Sequence, residues 1–432
     1  MDLENCEFKD AIEILSNLTG IPIQGNFKQE NFEEKKSMYA LYKDAVQYYK
    51  EALSRYPEIK KYLFERGLSE DSIRNFHFGY ADSGLNLYNH LKEKKYDDDI
   101  IGESGIFLDI KSKKDKFINR IIFPIQNARG DFVALAGRII GSGEPKYLNS
   151  PASKIYDKSA ILYGLYNARS AITKTGFVIV TEGYMDTISL QEGGFPNTVC
   201  VSGTALTEKH IQMIKRLTHK IYLCFDNDGA GQKATKLSLE LLKNTGIEVK
   251  IIHLKGGKDP DEILKKEGEK GKEVFERLID TAETPIAYYL RNSDFKTESI
   301  EDKRKTLTPI LEMIAHYSDS IEQDSYLKET ARLLNIHLNV VYDAFNKIRL
   351  KRENPIQTPN IKKDFSLEET IIANILSNES LREEIEKGCI FPIDPESDLG
   401  HFLKEGKDYL DHMELSKKER YKALVLKIEQ LQ

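Results

Sequence analysis

The chain is poor in the residues that build several common kinds of site. Its 432 residues contain four cysteines, Cys6, Cys200, Cys224 and Cys389. No two are close in sequence, so neither a zinc knuckle nor a disulfide framework can be read. Cys200 and Cys224 fall in apolar, strand-like runs and read as core residues. No apolar run approaches the roughly 20 residues that a membrane span requires. The N-terminus is acidic and polar, without a signal-peptide pattern, so a cytoplasmic protein with no membrane partner is expected. A GxxxxGK[ST] loop is missing, which argues against a P-loop NTPase. What the chain does have is 40% hydrophobic and 31% charged residues, a soluble globular balance. Its length calls for two or three domains.

Net charge is −6, which by itself argues weakly against a nucleic-acid partner. The distribution says more. Residues 111–160 hold ten Lys/Arg against four Asp/Glu. One basic segment in an acidic protein suits a polyanion surface. It equally suits a solvated lysine-rich loop, and charge count does not choose between them.

Periodicity divides the chain. Residues 7–19 have helical spacing and stop at Gly20 and Pro22. Residues 38–56 predict a tyrosine-rich helix ended by Pro57. "YLFERGLSEDSIRNFHFGYA" (62–81) predicts a short helix, a break at Gly67, a helix capped by Ser69 and an extended exit. "FINRIIFPI" and "FVALAGRII" predict strands joined by a hairpin turn at Arg129-Gly130-Asp131. From 177 to about 265, strands alternate with single helices, one of them capped by Thr207. That pattern implies right-handed parallel crossovers and an α/β domain. Only helices are expected from 272 onward, with a polar linker at 351–363.

Acids stand where the predicted strands of the α/β part end. Glu182 follows "FVIVT", Asp226 and Asp228 follow "IYLCF", and Asp259 and Asp261 follow "EVKIIHLKGGK". Ligands of open parallel sheets bind at those carboxyl ends. Clustered carboxylates raise each other's pKa unless a cation neutralises them. An all-oxygen set suits Mg²⁺ or Mn²⁺, often shared with substrate phosphates. Gly183, Gly229 and Gly231 would let a ligand or backbone approach closely. Such a site can perform phosphoryl or nucleotidyl transfer. For Asp186 two readings stay open: a member of this acidic set, or a complement to its own helix dipole.

"VTEGYMD", "CFDNDGAG" and "GGKDPDE" together resemble the TOPRIM domain shared by primases and topoisomerases. The upstream "KFINRIIFPIQNARGDFVALAGRII" and "PKYLNSPASKIYDKSAILYGLYNAR" resemble the RNA-polymerase core of bacterial DnaG-type primases, as do "YLFERGLSEDSIRNFHFGYA" and "VSGTALTEKH". The resemblance covers most of residues 7–350. It implies synthesis of short RNA primers on single-stranded DNA from ribonucleoside triphosphates, at a replication fork served by a replicative helicase. By motif, Glu182, Asp226 and Asp228 would form the metal site, and Asp259 and Asp261 would be further acids needed for activity. Asp186 matches the aspartate of "EGYxD", with Gly183 beside it. Arg120, Arg138, Lys146 and Lys158 would hold template, nucleotide or primer. Arg120 paired with a structural acid, and a merely exposed Lys158, are the alternatives. Asn149 and Ser150 would either donate to phosphate or shape their turn.

The implied fold is an α/β TOPRIM-like core with an α+β basic N-terminal subdomain and all-α C-terminal parts. The resemblance divides the chain into 1–25, the tail of the region linking to a zinc domain; 26–170, the basic subdomain; 171–270, TOPRIM; 271–350, helical; 351–363, linker; and 364–432, the first part of a helicase-binding region or a helical cap. Two departures stand out. "LAGR" at 135–138 replaces the family's "FGGR", a cost if a left-handed glycine is lost at Ala136. The cysteine/histidine zinc domain is not in the sequence, so zinc is not expected. Rival assignments are a haloacid-dehalogenase-like phosphatase, whose Asp-x-Asp-Gly motif wants Thr or Val where Ala230 stands, a TOPRIM topoisomerase or nuclease, and a catalytically silent adaptor.

Overall fold

The protein is described from a computed structural model, which covers residues 29–353 apart from 83–85, 142, 204 and 293–298. The chain divides into two compact units, 1–341 and 342–432. The expected helix at 7–19 and the segments 1–25 and 364–432 lie outside the described residues.

Helix α1 (Gln29–Ser54) starts earlier than the apolar period suggests and ends just ahead of Pro57. Met38, Leu41, Tyr42, Ala45, Val46, Tyr49 and Ala52 are buried along it at three- and four-residue intervals, one helical face. Its two deepest tyrosines keep their hydroxyls bonded. Tyr42 donates to the Ser104 carbonyl at 2.6 Å and Tyr49 to the Asp115 carboxylate at 2.7 Å. After α1 come α2 (Pro57–Glu65), Gly67 at φ 85° and α3 (Glu70–Asn75), whose cap Ser69 accepts from the Ser72 amide. These follow the sequence expectation.

The first sheet is antiparallel, in the order β1 (Gly79–Ala81), β2 (Arg120–Gln126), β3 (Phe132–Ile139), β4 (Tyr147–Asn149). Two short helices, α4 (Asn86–Glu93) and α5 (Asp98–Glu103), interrupt it between β1 and β2. In β2 Ile121, Phe123 and Ile125 face one apolar cluster and Ile122 the other, so both faces of the sheet are covered. The turn at 127–131 closes as predicted: the Asn127 side-chain oxygen accepts from the Arg129 and Asp131 amides. Ala136 corrects an expectation. It sits in regular β3 opposite Phe123 and Asn149 and is not among the left-handed residues, so a glycine there would have no steric purpose. The close approach is at Gly137, where a Cβ would stand 2.6 Å from the Phe117 ring.

The second sheet is parallel, in the order β6 (Thr198–Cys200), β5 (Val178–Thr181), β7 (Lys220–Leu223), β8 (Glu248–Ile251). Helices α6 (Leu165–Thr175), α8 (Glu208–Lys215) and α9 (Gly229–Leu242) cover one face through Leu165, Ile172, Ile211, Ile214 and Leu242. Helices α7 (Tyr184–Glu192), α10 (Pro260–Glu267) and α11 (Gly271–Asp280) cover the other through Leu190, Ile263 and Phe275. Cys200 and Cys224 are buried and free, as expected of core residues. Tyr184 at the start of α7 packs on Phe123, Tyr147 and Tyr163, and this aromatic cluster joins the two sheets.

Helices α12 (Pro285–Arg291), α13 (Ile300–Ile314), α14 (Ser320–Leu333) and α15 (Leu338–Glu353) follow. Between α14 and α15 stands Asn335, whose left-handed φ of 49° closes α14. Among the described residues no helix is long and apolar enough to cross a membrane.

Packing of α1 on β1 leaves no room at Gly79, where a Cβ would fall 2.5 Å from the Tyr49 Cβ. Gly79→Ala should therefore cost about 1–3 kcal/mol by overpacking. Urea unfolding measures this, and an unchanged midpoint would contradict the packing.

Candidate active site

In the parallel sheet β5 connects outward to β6 on one side, and the chain returns to β7 on the other. The boundary between β5 and β7 is therefore the topological switch point, where ligands of such sheets bind. Glu182 leaves the end of β5, and Asp226 and Asp228 lie just past β7. Acids separated by 44 residues in sequence thus become neighbours: the Asp226 amide donates to Glu182 Oε1 at 3.2 Å.

Local sequence aims each of them. Asp228 is the N-cap of α9 and accepts from the Gly231 amide at 2.8 Å. Gly231 has to be glycine, because a Cβ would stand 2.0 Å from the Asp226 carbonyl oxygen. At Gly229 a Cβ would meet nothing within 4 Å, so the expected close approach resides in one of the two glycines. Gly183 precedes α7, and a Cβ there would fall 2.6 Å from Asp186 Oδ2.

The electrostatics are those of a crowded, only partly compensated acidic cluster. Burial pushes Glu182 up to about 7, with the Asp226 charge adding to it. Asp226 is raised to about 6, first by burial, then by Asp259 and Asp228, while Lys258 and Lys146 pull the other way. Asp186 is buried and raised to about 8 by burial and by Asp259, Asp226 and Asp261. Although it stands in the first turn of α7, the surrounding acids prevail over the helix dipole, and Asp186 faces the acidic set. The Asp226 Oδ1 atom is buried and has no hydrogen-bond partner.

Two predicted residues have other occupations. Asp261 is buried in α10, its carboxylate accepting from Arg66 at 2.9 Å, Lys265 at 2.5 Å and Ser189 at 2.5 Å, and its amide reaches Asp186 Oδ1 at 3.4 Å. It braces α10 against α2 and α7, with its negative charge already matched. Asp259 caps α10 through the Glu262 amide at 2.7 Å and stays half-buried, close enough to act on Asp186 and Asp226.

The basic residues also divide. Arg120 is buried, and its Nη1 donates to the carbonyls of Gly137, Pro145 and Lys146 at 3.1, 2.9 and 3.4 Å. It shapes the β3–β4 turn, with carbonyls in place of the acid the sequence suggested. Arg138 is buried against Tyr147, donating to its hydroxyl at 3.2 Å. Asn149 accepts from the Tyr184 hydroxyl at 3.0 Å, and Ser150 from the Leu135 amide at 3.0 Å. Both shape their surroundings. Lys146 is exposed on the turn and near enough to lower the pKa of Asp226. Lys158 is half-exposed on a 3₁₀ turn, Lys158–Ala160. Sequence reasoning missed Arg66 and Lys258, neither of which belongs to a strand-end pattern.

Residues 48–169 match the family of the DNA primase catalytic core, N-terminal domain, and residues 179–264 match a Toprim-like family. The chain is 30% identical over 416 residues to the DNA primase of Halalkalibacterium halodurans, covering 89% of this chain and 69% of that one. The chain belongs to the bacterial DnaG-type DNA primase family. With the Clostridium acetobutylicum DNA primase it shares 33% identity over 373 residues, covering 84% of this chain and 62% of that relative. The chain thus spans less than two thirds of that primase's length. A solved DnaG primase catalytic domain bound to single-stranded DNA superposes with a TM-score of 0.62 at 28% identity, covering 70% of this chain and 98% of that one. Family membership sets aside the phosphatase and topoisomerase assignments.

Among the described residues no three His, Cys, Asp or Glu side chains form a ready-made cation cage. The donors nevertheless fit a hard divalent cation. They are all oxygen, burial and then the neighbouring carboxylates raise the pKa values of Glu182 and Asp226, and Asp226 Oδ1 is an unmatched buried acceptor.

The raised Asp186 gives a signed prediction. Below about pH 4 it is protonated both folded and unfolded. Between there and about 8 the folded state keeps a proton that the unfolded state releases, so its contribution to stability falls as pH rises, and levels off above. Asp186→Asn cannot ionise. Its melting temperature relative to wild type, without metal, should therefore climb from pH 4 to pH 8. A constant difference would contradict the assignment.

Proposed function

We propose that this chain is the polymerising core of a primase, joining ribonucleotides into short RNA primers on single-stranded DNA. The observation that carries this is the meeting of Glu182, Asp226 and Asp228 at the switch point of the parallel sheet, beside the exposed Lys146. Family membership supports it, and so does the likeness to a catalytic domain bound to single-stranded DNA.

The reaction is attack of a 3′-hydroxyl on the α-phosphate of a ribonucleoside triphosphate, with release of pyrophosphate. Glu182, Asp226 and Asp228 would hold Mg²⁺ or Mn²⁺. That ion would supply neutralisation of charge developing on the phosphate and activation of the hydroxyl. The chain's own part is to present these acceptors with little motion. The amide of Asp226 holds Glu182, the N-cap bond holds Asp228, and Asp259 adds negative potential from α10. Lys146 and Lys158 would bind template, nucleotide or primer phosphates. Replication at the cytoplasmic fork, and a replicative helicase docking through 364–432, complete the reading and are supported by sequence resemblance alone.

Incorporation of labelled ribonucleotide on a single-stranded DNA template with Mg²⁺ or Mn²⁺ tests this. Wild type should yield oligoribonucleotides. Glu182→Gln and Asp226→Asn should each lower the rate by about 100-fold or more, equivalent to several kcal/mol of lost transition-state stabilisation. Undiminished synthesis by both variants, or none by wild type, would refute it.

A further inference from the structure

Lys158 sits on a short 3₁₀ turn, and its usefulness depends on what holds that turn. The segment "TEKH" (207–210), which no step of the proposed reaction uses, lies against it. Thr207 is the N-cap of α8, accepting from the His210 amide at 3.1 Å. The same hydroxyl donates to the Ser159 carbonyl at 2.6 Å. Lys209 donates to Asp157 Oδ2 at 2.5 Å. Asp157 in turn receives the Ser159 amide at 3.0 Å and the Ser159 hydroxyl at 2.6 Å. His210 is fully buried, and burial lowers its pKa. Its ring faces the backbone of Lys158 and Ile161, without closing a hydrogen bond of good geometry.

Two residues of one helix start therefore tie down the neighbours of Lys158 on both sides, Thr207 through the Ser159 carbonyl and Lys209 through the Asp157 carboxylate. The Lys158 side chain itself makes no ion pair or hydrogen bond among the described residues. A lysine whose backbone is clamped and whose ammonium is uncommitted has lost conformational freedom before any ligand arrives, which lowers the entropic cost of binding. A structural lysine would show the reverse arrangement, with a satisfied ammonium. The clamp also ties the turn to α8, which packs on the parallel sheet through Ile211 and Ile214. The position of Lys158 is thereby referred to the same sheet that carries Glu182 and Asp226.

We infer that Thr207 and Lys209 are positioning residues that fix the Lys158 turn for phosphate binding. The inference rests on the phosphate-binding role proposed for Lys158. A double-mutant cycle separates the two. Dissociation constants for a fluorescent single-stranded DNA oligonucleotide and a fluorescent nucleoside triphosphate are measured for wild type, Lys158→Met, Thr207→Val, Thr207→Ser and the double variant Lys158→Met/Thr207→Val. Lys158→Met is expected to weaken at least one ligand by about tenfold, and Thr207→Val should weaken the same ligand several-fold. The double variant should bind no more weakly than Lys158→Met alone, and Thr207→Ser, which keeps the hydroxyl, should restore affinity. Fully multiplicative losses would show that Thr207 acts elsewhere and overturn the latch, as would a Thr207→Val variant that binds like wild type. Should Lys158→Met bind both ligands normally, the phosphate role fails and the latch with it. Melting temperatures of all variants identify a global loss of fold. If Thr207→Val does not fold, Lys209→Met, which removes only the exposed tie to Asp157, takes its place in the same cycle.

Discussion

The site depends on one pairing, that of β5 with β7 in parallel register. Val178, Ile179 and Val180 lie opposite Ile221, Tyr222 and Leu223, and this ladder delivers Glu182 and Asp226 to the same edge. The contact is electrostatically unfavourable, since it crowds partly desolvated carboxylates together. What makes it tolerable is the apolar sheet beneath, buried on both faces by helices whose packing is indifferent to the acids. Gly231 completes the arrangement by letting α9 start directly against the Asp226 carbonyl. The repulsion is held in place by the core and is available for relief by a cation.

The same separation of roles runs through the basic half. Arginine presents a rigid fork of donors, and at Arg120 three backbone carbonyls of the β3–β4 turn already engage it. Arg138 stacks beside Tyr147. These two build the platform. Lysine carries a compact charge on a flexible stem, and Lys146 and Lys158 occupy turns where the stem reaches solvent. The chain's positive residues therefore divide into shapers and contacts, although they share one segment and one charge count. The acids divide in the same manner: Asp261 is held closely by Arg66 and Lys265, while Asp259, paired with Lys258 only at 3.9 Å, acts on both Asp186 and Asp226.

Much of this was legible in the sequence, for reasons that are local. A run of apolar residues ended by an acid marks a strand and its carboxyl end. Ser69 and Thr207 announce helix starts because a hydroxyl satisfies an amide that the helix leaves free. The hairpin at 127–131 is readable because Asn127 can close the turn with its own side chain. The short helices α4 and α5 were not readable, because each is decided by what packs over it. Ala136 was misjudged for the same reason. A motif comparison assigns the glycine to a position, whereas the crowding that demands glycine falls one residue later, beneath Phe117.

The alternation of strand and helix, the acids at strand ends and the family all follow from residue type at short spacing. That β7, third of the parallel strands in chain order, lies beside β5 emerges only on folding. Strand order depends on crossovers across dozens of residues, which leave no local mark. The tertiary structure likewise decided which charges are spent. Whether Arg120 or Asp261 is free depends on carbonyls and cations brought from distant segments, and burial fixes the protonation of Asp186 only once those segments have met.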